Sequence, residues 1–213
     1  MSIAGNLETI RSNIARAGRN PDEITIVAVT KGFGADVCRQ AIDAGLTILG
    51  ENRVQEALDK MRVVEGAQWH LIGHLQTNKA KAAAGHFAVI QSVDSRHLVD
   101  ALTKLNPAQH VLIEVNVARE AQKTGADPDE ALTLIEHAAH ALDLRGLMAM
   151  GPTHGDPTPA FSELRKLRDM AQERLGKSLP ILSMGMSGDY ELAVKSGSTM
   201  LRLGTALFGP RPQ

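Results

Sequence analysis

Short runs of β-branched and other apolar residues alternate with stretches of helical periodicity along almost the whole chain of 213 residues. Strands separated by helices are typical of parallel β–α–β units, in which each helix returns the chain to the same edge of the sheet. We predict eight strands: Ile24–Val29, Thr47–Leu49, His70–Ile72, Val89–Ser92, Val111–Asn116, Gly146–Met150, Ile181–Ser183 and Met200–Leu203.

The segments between these strands have the spacing of amphipathic helices. In Pro159–Leu175, apolar residues recur at three- and four-residue steps, which gives one stripe that can pack on a sheet. Asp36 is the predicted N-cap of the helix after the first strand. The predicted helices are Leu7–Ala17, which precedes the first strand, and then Asp36–Ala44, Arg53–Val64, Lys79–Ala84, Ser95–Leu105, Asp129–Leu142, Pro159–Leu175 and Asp189–Lys195.

Eight strands in a chain of this length favour a closed (β/α)8 barrel, a TIM barrel, over an open doubly wound sheet, which usually needs only five or six strands. The open sheet remains the alternative, because short strands are easily miscounted. We expect residues 1–213 to form a single domain, with an extra N-terminal helix before the barrel.

Composition argues against several classes of protein. The formal net charge is -1 and no block of Lys or Arg occurs, so the chain has no electrostatic footprint for nucleic acid or an acidic membrane. Cys38 is the only cysteine, which excludes an internal disulfide. The N-terminus is amphipathic and lacks the pattern of a signal peptide, and no apolar run is long enough to span a membrane. We therefore expect a cytoplasmic protein.

The first predicted strand ends in Thr30-Lys31-Gly32, at the edge where parallel α/β proteins carry their reactive side chains. A lysine there has its stem among apolar walls, and partial desolvation lowers the pKa of such an amine and makes it a nucleophile towards an aldehyde. By position alone, a lysine whose amine reaches solvent is the more frequent case. Lys31 alone therefore does not identify a site.

The ends of the seventh and eighth predicted strands carry residues suited to a phosphate. Ser187 lies in the glycine-rich loop Gly185–Gly188, and Gly204-Thr205 follows the last strand. Barrel proteins often bind phosphate at these two loops, where backbone N–H groups and hydroxyls converge. The structural alternative is that Gly204 only makes a tight turn and that Ser187 only caps a helix.

Arg202 lies within the last predicted strand, between apolar neighbours. It must either face outward or find a partner at the barrel mouth. A guanidinium that faced a pyridine nitrogen could not give up its proton, so it would keep that nitrogen unprotonated and restrain carbanion chemistry.

These residues belong to longer segments that together resemble the pyridoxal phosphate homeostasis protein family, small relatives of the barrel domain of bacterial alanine racemase. The resemblance runs in family order from near residue 24 to residue 209. The matching segments are AVTK (28–31), GENRVQEA (50–57), WHLIGHLQTNKAK (69–81), VLIEVNVAREAQKTG (111–125), LRGLMAM (144–150) and LSMGMSGDYELAVKSGSTMLRLGTALFG (182–209).

The resemblance implies an alanine-racemase-like barrel of fold type III without a C-terminal β-domain, and pyridoxal 5′-phosphate bound as an internal aldimine on Lys31. It places Asn52 near the cofactor ring and Arg202 near the pyridine nitrogen. It places Ser187, Gly204 and Thr205 around the phosphate. The implied role is control of free pyridoxal phosphate and its delivery to apo-enzymes, without robust turnover.

Two further features of the chain bear on the family pattern. Lys123, in QKTG, matches a family lysine that is associated with cofactor exchange. The loop after the sixth strand, GPTHGDPTPAFSEL, is compact for the family, so the sequence does not define the shape of the barrel mouth. A lone barrel is compatible with a monomer, and a monomer is what we expect.

Three alternatives remain. A racemase or decarboxylase would use the same cofactor, but two-base racemisation needs a second acid or base, and the only tyrosine, Tyr190, lies in a helical segment. In the racemase relatives that group comes from an additional domain, whereas this chain ends just after the barrel. A metal-dependent hydrolase is disfavoured because the eight histidines show no H-x-H or H-E-x-x-H spacing. An interaction module without cofactor leaves the polar strand ends unexplained.

Overall fold

A computed structural model describes residues 2–210, in which eight strands close into a parallel barrel. The strands are β1 Thr25–Val29, β2 Ile48–Glu51, β3 Gln68–Leu71, β4 Val89–Val93, β5 His110–Glu114, β6 Asp143–Met148, β7 Ile181–Ser183 and β8 Met200–Leu203. Each strand is hydrogen-bonded to its sequence neighbours, and β8 closes the barrel against β1. The predicted (β/α)8 barrel is confirmed, and the open doubly wound alternative is wrong.

Helices follow the strands around the outside of the barrel. They are α1 Ile3–Arg16, α2 Ala35–Asp43, α3 Val54–Met61, α4 Ala80–Ala83, α5 Arg96–Leu105, α6 Ala131–Ala141, α7 Thr158–Leu175, α8 Tyr190–Lys195 and α9 Thr205–Phe208. The extra helix predicted before the first strand is α1, and the turn after β8 winds into the short α9. Within residues 2–210, no helix combines the length and the apolar character that crossing a membrane requires.

Several local predictions are wrong: the first helix begins at Ile3 rather than Leu7, and two other differences have a visible cause. Asp36 does not cap α2: the N-cap is Gly34, and Asp36 lies in the first turn of the helix. A Cβ at position 34 would come within 2.5 Å of the Asp36 carboxylate, which favours glycine at the cap. The sixth strand runs from Asp143 to Met148 rather than from residue 146 to 150. It begins earlier because Asp143 pairs with His110 at the bottom of β5.

The apolar core has two parts, separated by the barrel wall. The larger part fills the layer between strands and helices, and the stripe predicted on α7 contributes Phe161, Leu164 and Leu167 to it. A smaller cluster comprises Val89, Leu112 and Met148. Because side chains alternate along a strand, these three residues share a face that the larger core does not use, and Met148 also lines the cavity described next.

Candidate functional site

A cavity of about 300 Å³ opens at the mouth of the barrel, beyond the C-terminal ends of the strands. This is where parallel barrels build their sites. Its volume is at the lower end of the range for small-ligand pockets, about 300–1,000 Å³. The six residues that the sequence and its family resemblance assign to cofactor binding all line this one cavity: Lys31, Asn52, Ser187, Arg202, Gly204 and Thr205.

Lys31 projects from a tight turn that begins where β1 ends. The Thr30 amide still donates to Gly50 of β2, and the Phe33 amide donates back to the Thr30 carbonyl at 3.0 Å, which closes a four-residue turn around Lys31. Gly32 has a φ of 76°, a backbone conformation that side-chain-bearing residues rarely adopt. The local sequence Thr-Lys-Gly therefore directs a half-buried Lys31 into the cavity.

Side chains of α3 hold the backbone on both sides of Lys31. The Lys60 ammonium donates to the carbonyl oxygen of Thr30 at 2.9 Å. The Gly32 amide donates to Glu56 Oε1 at 3.0 Å, and the same Glu56 oxygen accepts from Lys60 at 2.8 Å. The peptide groups that precede and follow Lys31 are thus both anchored to one helix.

Glu51, at the end of β2, completes this cluster from below. Its Oε1 accepts from Lys60 Nζ at 2.7 Å and from the Thr30 hydroxyl at 2.6 Å. Burial raises the pKa of Glu51 against the opposing effect of Lys60. Burial also lowers the pKa of Lys60, but hydrogen bonds to Glu51 and Glu56 outweigh it and leave that pKa above its ordinary value. Lys60 therefore stays cationic.

Arg202 points into the barrel rather than outward, and it is almost fully buried. Its Nη1 donates to the carbonyl and hydroxyl oxygens of Ser183, and its Nη2 donates to the Ala149 carbonyl at 2.9 Å. Burial lowers the pKa of Arg202 to about 10, so the group remains cationic at neutral pH. Of its five N–H donors, the Nε–H and one Nη2–H donate to no residue between 2 and 210 in the structure, and Arg202 itself lines the cavity.

A chain of hydrogen bonds runs from Arg202 across the barrel interior. The Ser183 hydroxyl donates to Gln91 Oε1 at 2.6 Å, and the Gln91 amide nitrogen lies 2.9 Å from His70 Nδ1. Because Gln91 donates at this contact, Nδ1 accepts and the His70 ring is neutral. Burial lowers the pKa of His70 to about 4, in agreement with that state.

Ser187 joins the loop after β7 to the turn after β8. Its hydroxyl oxygen accepts from the Ala206 amide of α9 at 3.0 Å, which leaves the hydroxyl hydrogen to donate elsewhere. Gly204 caps α9 with a negative φ, and a Cβ there would approach the Val29 carbonyl only to 3.5 Å, an ordinary contact. Steric contacts within the described chain therefore leave room for a Cβ at position 204.

Asn52 reaches the cavity from the end of β2. A Cβ on Gly73, just beyond β3, would lie 2.4 Å from the Asn52 carbonyl oxygen. Only glycine permits this approach, so Gly73 allows the two strand ends to pack closely and keeps Asn52 at the mouth.

Lys123 does not line the cavity. It lies in the loop between β5 and α6, where its ammonium donates to the Gly151 carbonyl at 2.6 Å and pairs with Glu120 at 3.0 Å. Glu120 in turn accepts from the Thr153 hydroxyl and amide, which lowers the pKa of Glu120 to about 2. These contacts fasten the loop after β5 to the loop after β6.

Sequence reasoning missed the apolar walls of the cavity and the buried polar groups beneath it. The walls are Val29, Phe33, Ile72, Met148, Met150 and Met186. The missed polar groups are Glu51, Glu56 and Lys60 under Lys31, and Ser183, Gln91 and His70, which form a hydrogen-bonded chain leading from Arg202. Glu51 and Glu56 lie within the segment GENRVQEA, and the spacing of Glu56 and Lys60 on α3 was a signal for an ion pair.

Tyr190 and the histidines lie away from the cavity. The Tyr190 hydroxyl accepts from Asn13 of α1 at 2.6 Å, so this residue packs between outer helices. His74 pairs with Asp94 near the rim, and His70 is enclosed within the barrel. In the part of the chain that the structure describes, no group of three or more His, Cys, Asp or Glu side chains could hold a metal ion.

Comparison with known proteins gives a consistent result. The family model described as "Alanine racemase, N-terminal domain" matches residues 5–212. The pyridoxal phosphate homeostasis protein of Aquifex aeolicus is 40% identical over 216 residues, which is 96% of this chain and 95% of that protein. Its Escherichia coli K12 counterpart is 39% identical over 228 residues, which is 98% of this chain and 97% of that protein.

A solved structure agrees with the sequence comparisons. PipY of Synechococcus elongatus, without PLP, superposes with a TM-score of 0.88 at 33% identity, covering 98% of this chain and 100% of that one. With PLP bound, it superposes with a TM-score of 0.85 at 32% identity and the same coverage. Identity of this degree over nearly the full length of both chains is sufficient for assignment: the chain belongs to the pyridoxal phosphate homeostasis protein family.

Proposed function

We propose that this protein binds pyridoxal 5′-phosphate in the mouth cavity, held covalently at Lys31 Nζ, and serves intracellular homeostasis of that cofactor by storing, exchanging and delivering it. Whole-length relatives are named pyridoxal phosphate homeostasis protein, and PipY has been solved with PLP bound. In this role, residues 1–213 act as one cofactor-binding domain and as a monomer, and they pass pyridoxal phosphate to apo-enzymes that require it.

The residues around the cavity fit such a group in kind and in position. When bound, pyridoxal phosphate supplies an aldehyde that condenses with an amine, a pyridine ring and a phosphate. Lys31 provides the amine, and Phe33, Ile72 and Met148 provide apolar walls for a ring. Asn52 adds a polar contact at the side of the cavity.

The turn after β8 fits the phosphate. Gly204, Thr205 and Ser187 meet at one end of the cavity, and Ser187 has a hydrogen left to donate. Since the chain itself would tolerate a side chain at Gly204, the glycine is best explained by the approach of a ligand. The exposed Thr205 hydroxyl would be a further donor.

Arg202 fits the ring nitrogen. Three protein acceptors hold its guanidinium in place, and Arg202 lines the cavity with N–H groups to spare. A permanently protonated donor at a pyridine nitrogen keeps that nitrogen unprotonated, so the ring accepts electrons poorly. This arrangement favours retention of the cofactor over chemistry on it.

The single observation that carries the proposal is the chemical character of the cavity lining. Among the described residues that line it, Lys31 is the only potential proton-transfer base, and the lining includes no Asp, Glu, His, Cys or Tyr. Two-base racemisation needs a second such group on the opposite face. Among the described residues, the lining therefore supplies groups that can hold the cofactor but not the second acid–base group that racemisation needs.

Lys123 has a different part in the proposal. Because it bridges the loops after β5 and β6 at the rim, we assign it to the exchange of cofactor between the cavity and solvent. Breaking its contacts to Gly151 and Glu120 would loosen the rim without removing any residue of the cavity lining.

The test is to load the purified full chain with pyridoxal phosphate, reduce with borohydride and locate the added mass. We expect wild type to be yellow and labelled at Lys31, Lys31→Ala to be colourless and unlabelled, and the control Lys81→Ala, on the exposed face of α4, to match wild type. Loaded wild type should then reactivate an apo-enzyme while turning over no L- or D-amino acid. Rapid racemisation or decarboxylation by wild type would overturn the assignment.

A further inference from the structure

Between β2, α3 and the Lys31 turn lies a buried cluster of Glu51, Glu56, Lys60 and Thr30 that does not line the cavity. Three charged side chains in one place require a reason, because the desolvation of a buried ion pair commonly offsets its attraction, and apolar replacements are often as stable or more so. Stability alone is thus a weak explanation for this cluster.

The contacts of the cluster point to a different role. Lys60 donates to the carbonyl of the residue before Lys31, and Glu56 accepts from the amide of the residue after it. The two α3 residues are one helical turn apart, so a single rigid face of the helix anchors both peptide groups that flank Lys31.

We propose that Glu56 and Lys60, supported by Glu51, are positioning residues that set the backbone of the Lys31 turn and so aim its amine at the cofactor aldehyde. This rests on the proposed function of Lys31. The step that such a cofactor would undergo is condensation: the unprotonated amine would attack the aldehyde carbon, both carbon–oxygen bonds would be broken as a carbon–nitrogen double bond forms, and the oxygen would leave as water with the two amine hydrogens.

Electrostatics supports a fixed geometry. Burial raises the pKa of Glu56, but hydrogen bonds from Lys60 and the Gly32 amide reverse this and lower it overall, so Glu56 is ionised at neutral pH. Hydrogen bonds to an ionised acceptor are roughly twice as strong as neutral ones. A loop-borne lysine held by two charge-assisted contacts needs little reorganisation before it reacts, and small misplacements of reacting groups cost large factors in rate.

Glu56 is the best position for a test because it is only partly buried and its loss should leave the fold intact. Glu56→Ala removes both acceptor contacts, whereas Glu56→Gln keeps an oxygen that can accept from Gly32 and Lys60. Asp59→Ala is the matched control, since this carboxylate lies on the same helix but pairs only with exposed neighbours.

Two measurements on the full chain are needed. The first is the rate of imine formation with pyridoxal phosphate, followed by its absorbance over a range of pH and checked by borohydride labelling at Lys31. The second, without cofactor, is hydrogen–deuterium exchange of the peptide that contains Thr30 to Phe33. Thermal melting verifies that each variant is folded.

We expect Glu56→Ala to slow capture by about 10- to 100-fold and to speed exchange in the Lys31 turn. Glu56→Gln, which keeps the acceptor oxygen but not the charge, should fall between the Ala variant and wild type in both measurements. Asp59→Ala should stay close to wild type in both. The inference would be overturned if Glu56→Ala captured the cofactor and exchanged its turn amides at wild-type rates. A Gln variant as impaired as the Ala variant would overturn it as well. Failure of the proposed function would instead appear in wild type itself, as a protein that traps no cofactor at Lys31.

Discussion

Arg202 and Ser183 are joined by two hydrogen bonds from one guanidinium nitrogen, at 2.7 Å to the Ser183 carbonyl and 2.8 Å to its hydroxyl. The two residues lie on adjacent strands, β8 and β7, so the bonds fix the arginine to the barrel wall. Because this contact is buried, it links the stability of the barrel to the geometry of the cavity.

Arg202→Leu should therefore weaken both folding and cofactor binding. The Ser183 and Ala149 acceptors would remain buried without this donor, and each such loss costs about 1–3 kcal/mol. With two such residues affected, we expect urea denaturation to show a free energy of unfolding lower by about 2–6 kcal/mol, and titration to show a higher Kd for pyridoxal phosphate. Arg145→Leu, at an exposed position of β6, is the control, and equal effects of the two variants would contradict the prediction.

Lys31→Ala should remove the stabilisation that cofactor gives to the fold. A ligand that binds only the native state adds about 2.7 kcal/mol at 100 times its Kd. Wild type loaded at that ratio should melt at a higher temperature than the apo-protein, whereas Lys31→Ala at the same concentration should shift much less. A variant stabilised as strongly as wild type would show that covalent attachment contributes little to binding.

His70 should make the protein sensitive to acid. Its pKa is about 4 in the folded state against an ordinary value of 6.5, so between these values the unfolded chain binds the additional proton. The contribution of His70 to the free energy of unfolding is therefore fully present above pH 6.5. It falls by about 3 kcal/mol in total as the pH drops to about 4.

His70→Asn keeps an acceptor for Gln91 but cannot titrate. The difference in unfolding free energy between wild type and this variant should shrink as the pH falls from 7 to 4, measured by denaturant unfolding at each pH. A difference that stays constant with pH would exclude His70 as the titrating group.

Substitution by alanine should lower stability at Gly73 and cofactor affinity at Gly204. Gly73→Ala places a Cβ 2.4 Å from the Asn52 carbonyl, so backbone must shift, and we expect destabilisation of about 1–3 kcal/mol. Gly204→Ala meets only ordinary contacts within the chain, so it should fold with wild-type stability. It should still raise the Kd for pyridoxal phosphate, because it adds a methyl group where Gly204 lines the cavity.

Thermal melts and cofactor titrations of the two glycine variants separate these effects. If Gly204→Ala bound pyridoxal phosphate with wild-type affinity, the turn at Gly204 would not be part of the phosphate site. A fully stable Gly73→Ala would mean that the packing of the β2 and β3 ends can relax at little cost.

Much of the architecture follows from local sequence patterns. Apolar runs bounded by polar and glycine residues located the strands, and the stripe on α7 identified the face that packs on the barrel, because periodicity depends only on neighbouring residues. The start of β6 was misplaced because Asp143 is recruited by pairing with His110, a partner 33 residues away in sequence.

The sequence by itself determined that Lys31, Arg202, Ser187 and Gly204 stand at strand ends or within the last strand, since chain order and strand position are local properties. Only the tertiary structure decided that Lys60 and Glu56 hold the two sides of Lys31 and that Arg202 is tied through Ser183 and Gln91 to His70. These contacts join side chains and backbone groups from different strands, turns and helices. Their partners are selected by closure of the barrel, and no spacing along the chain encodes them.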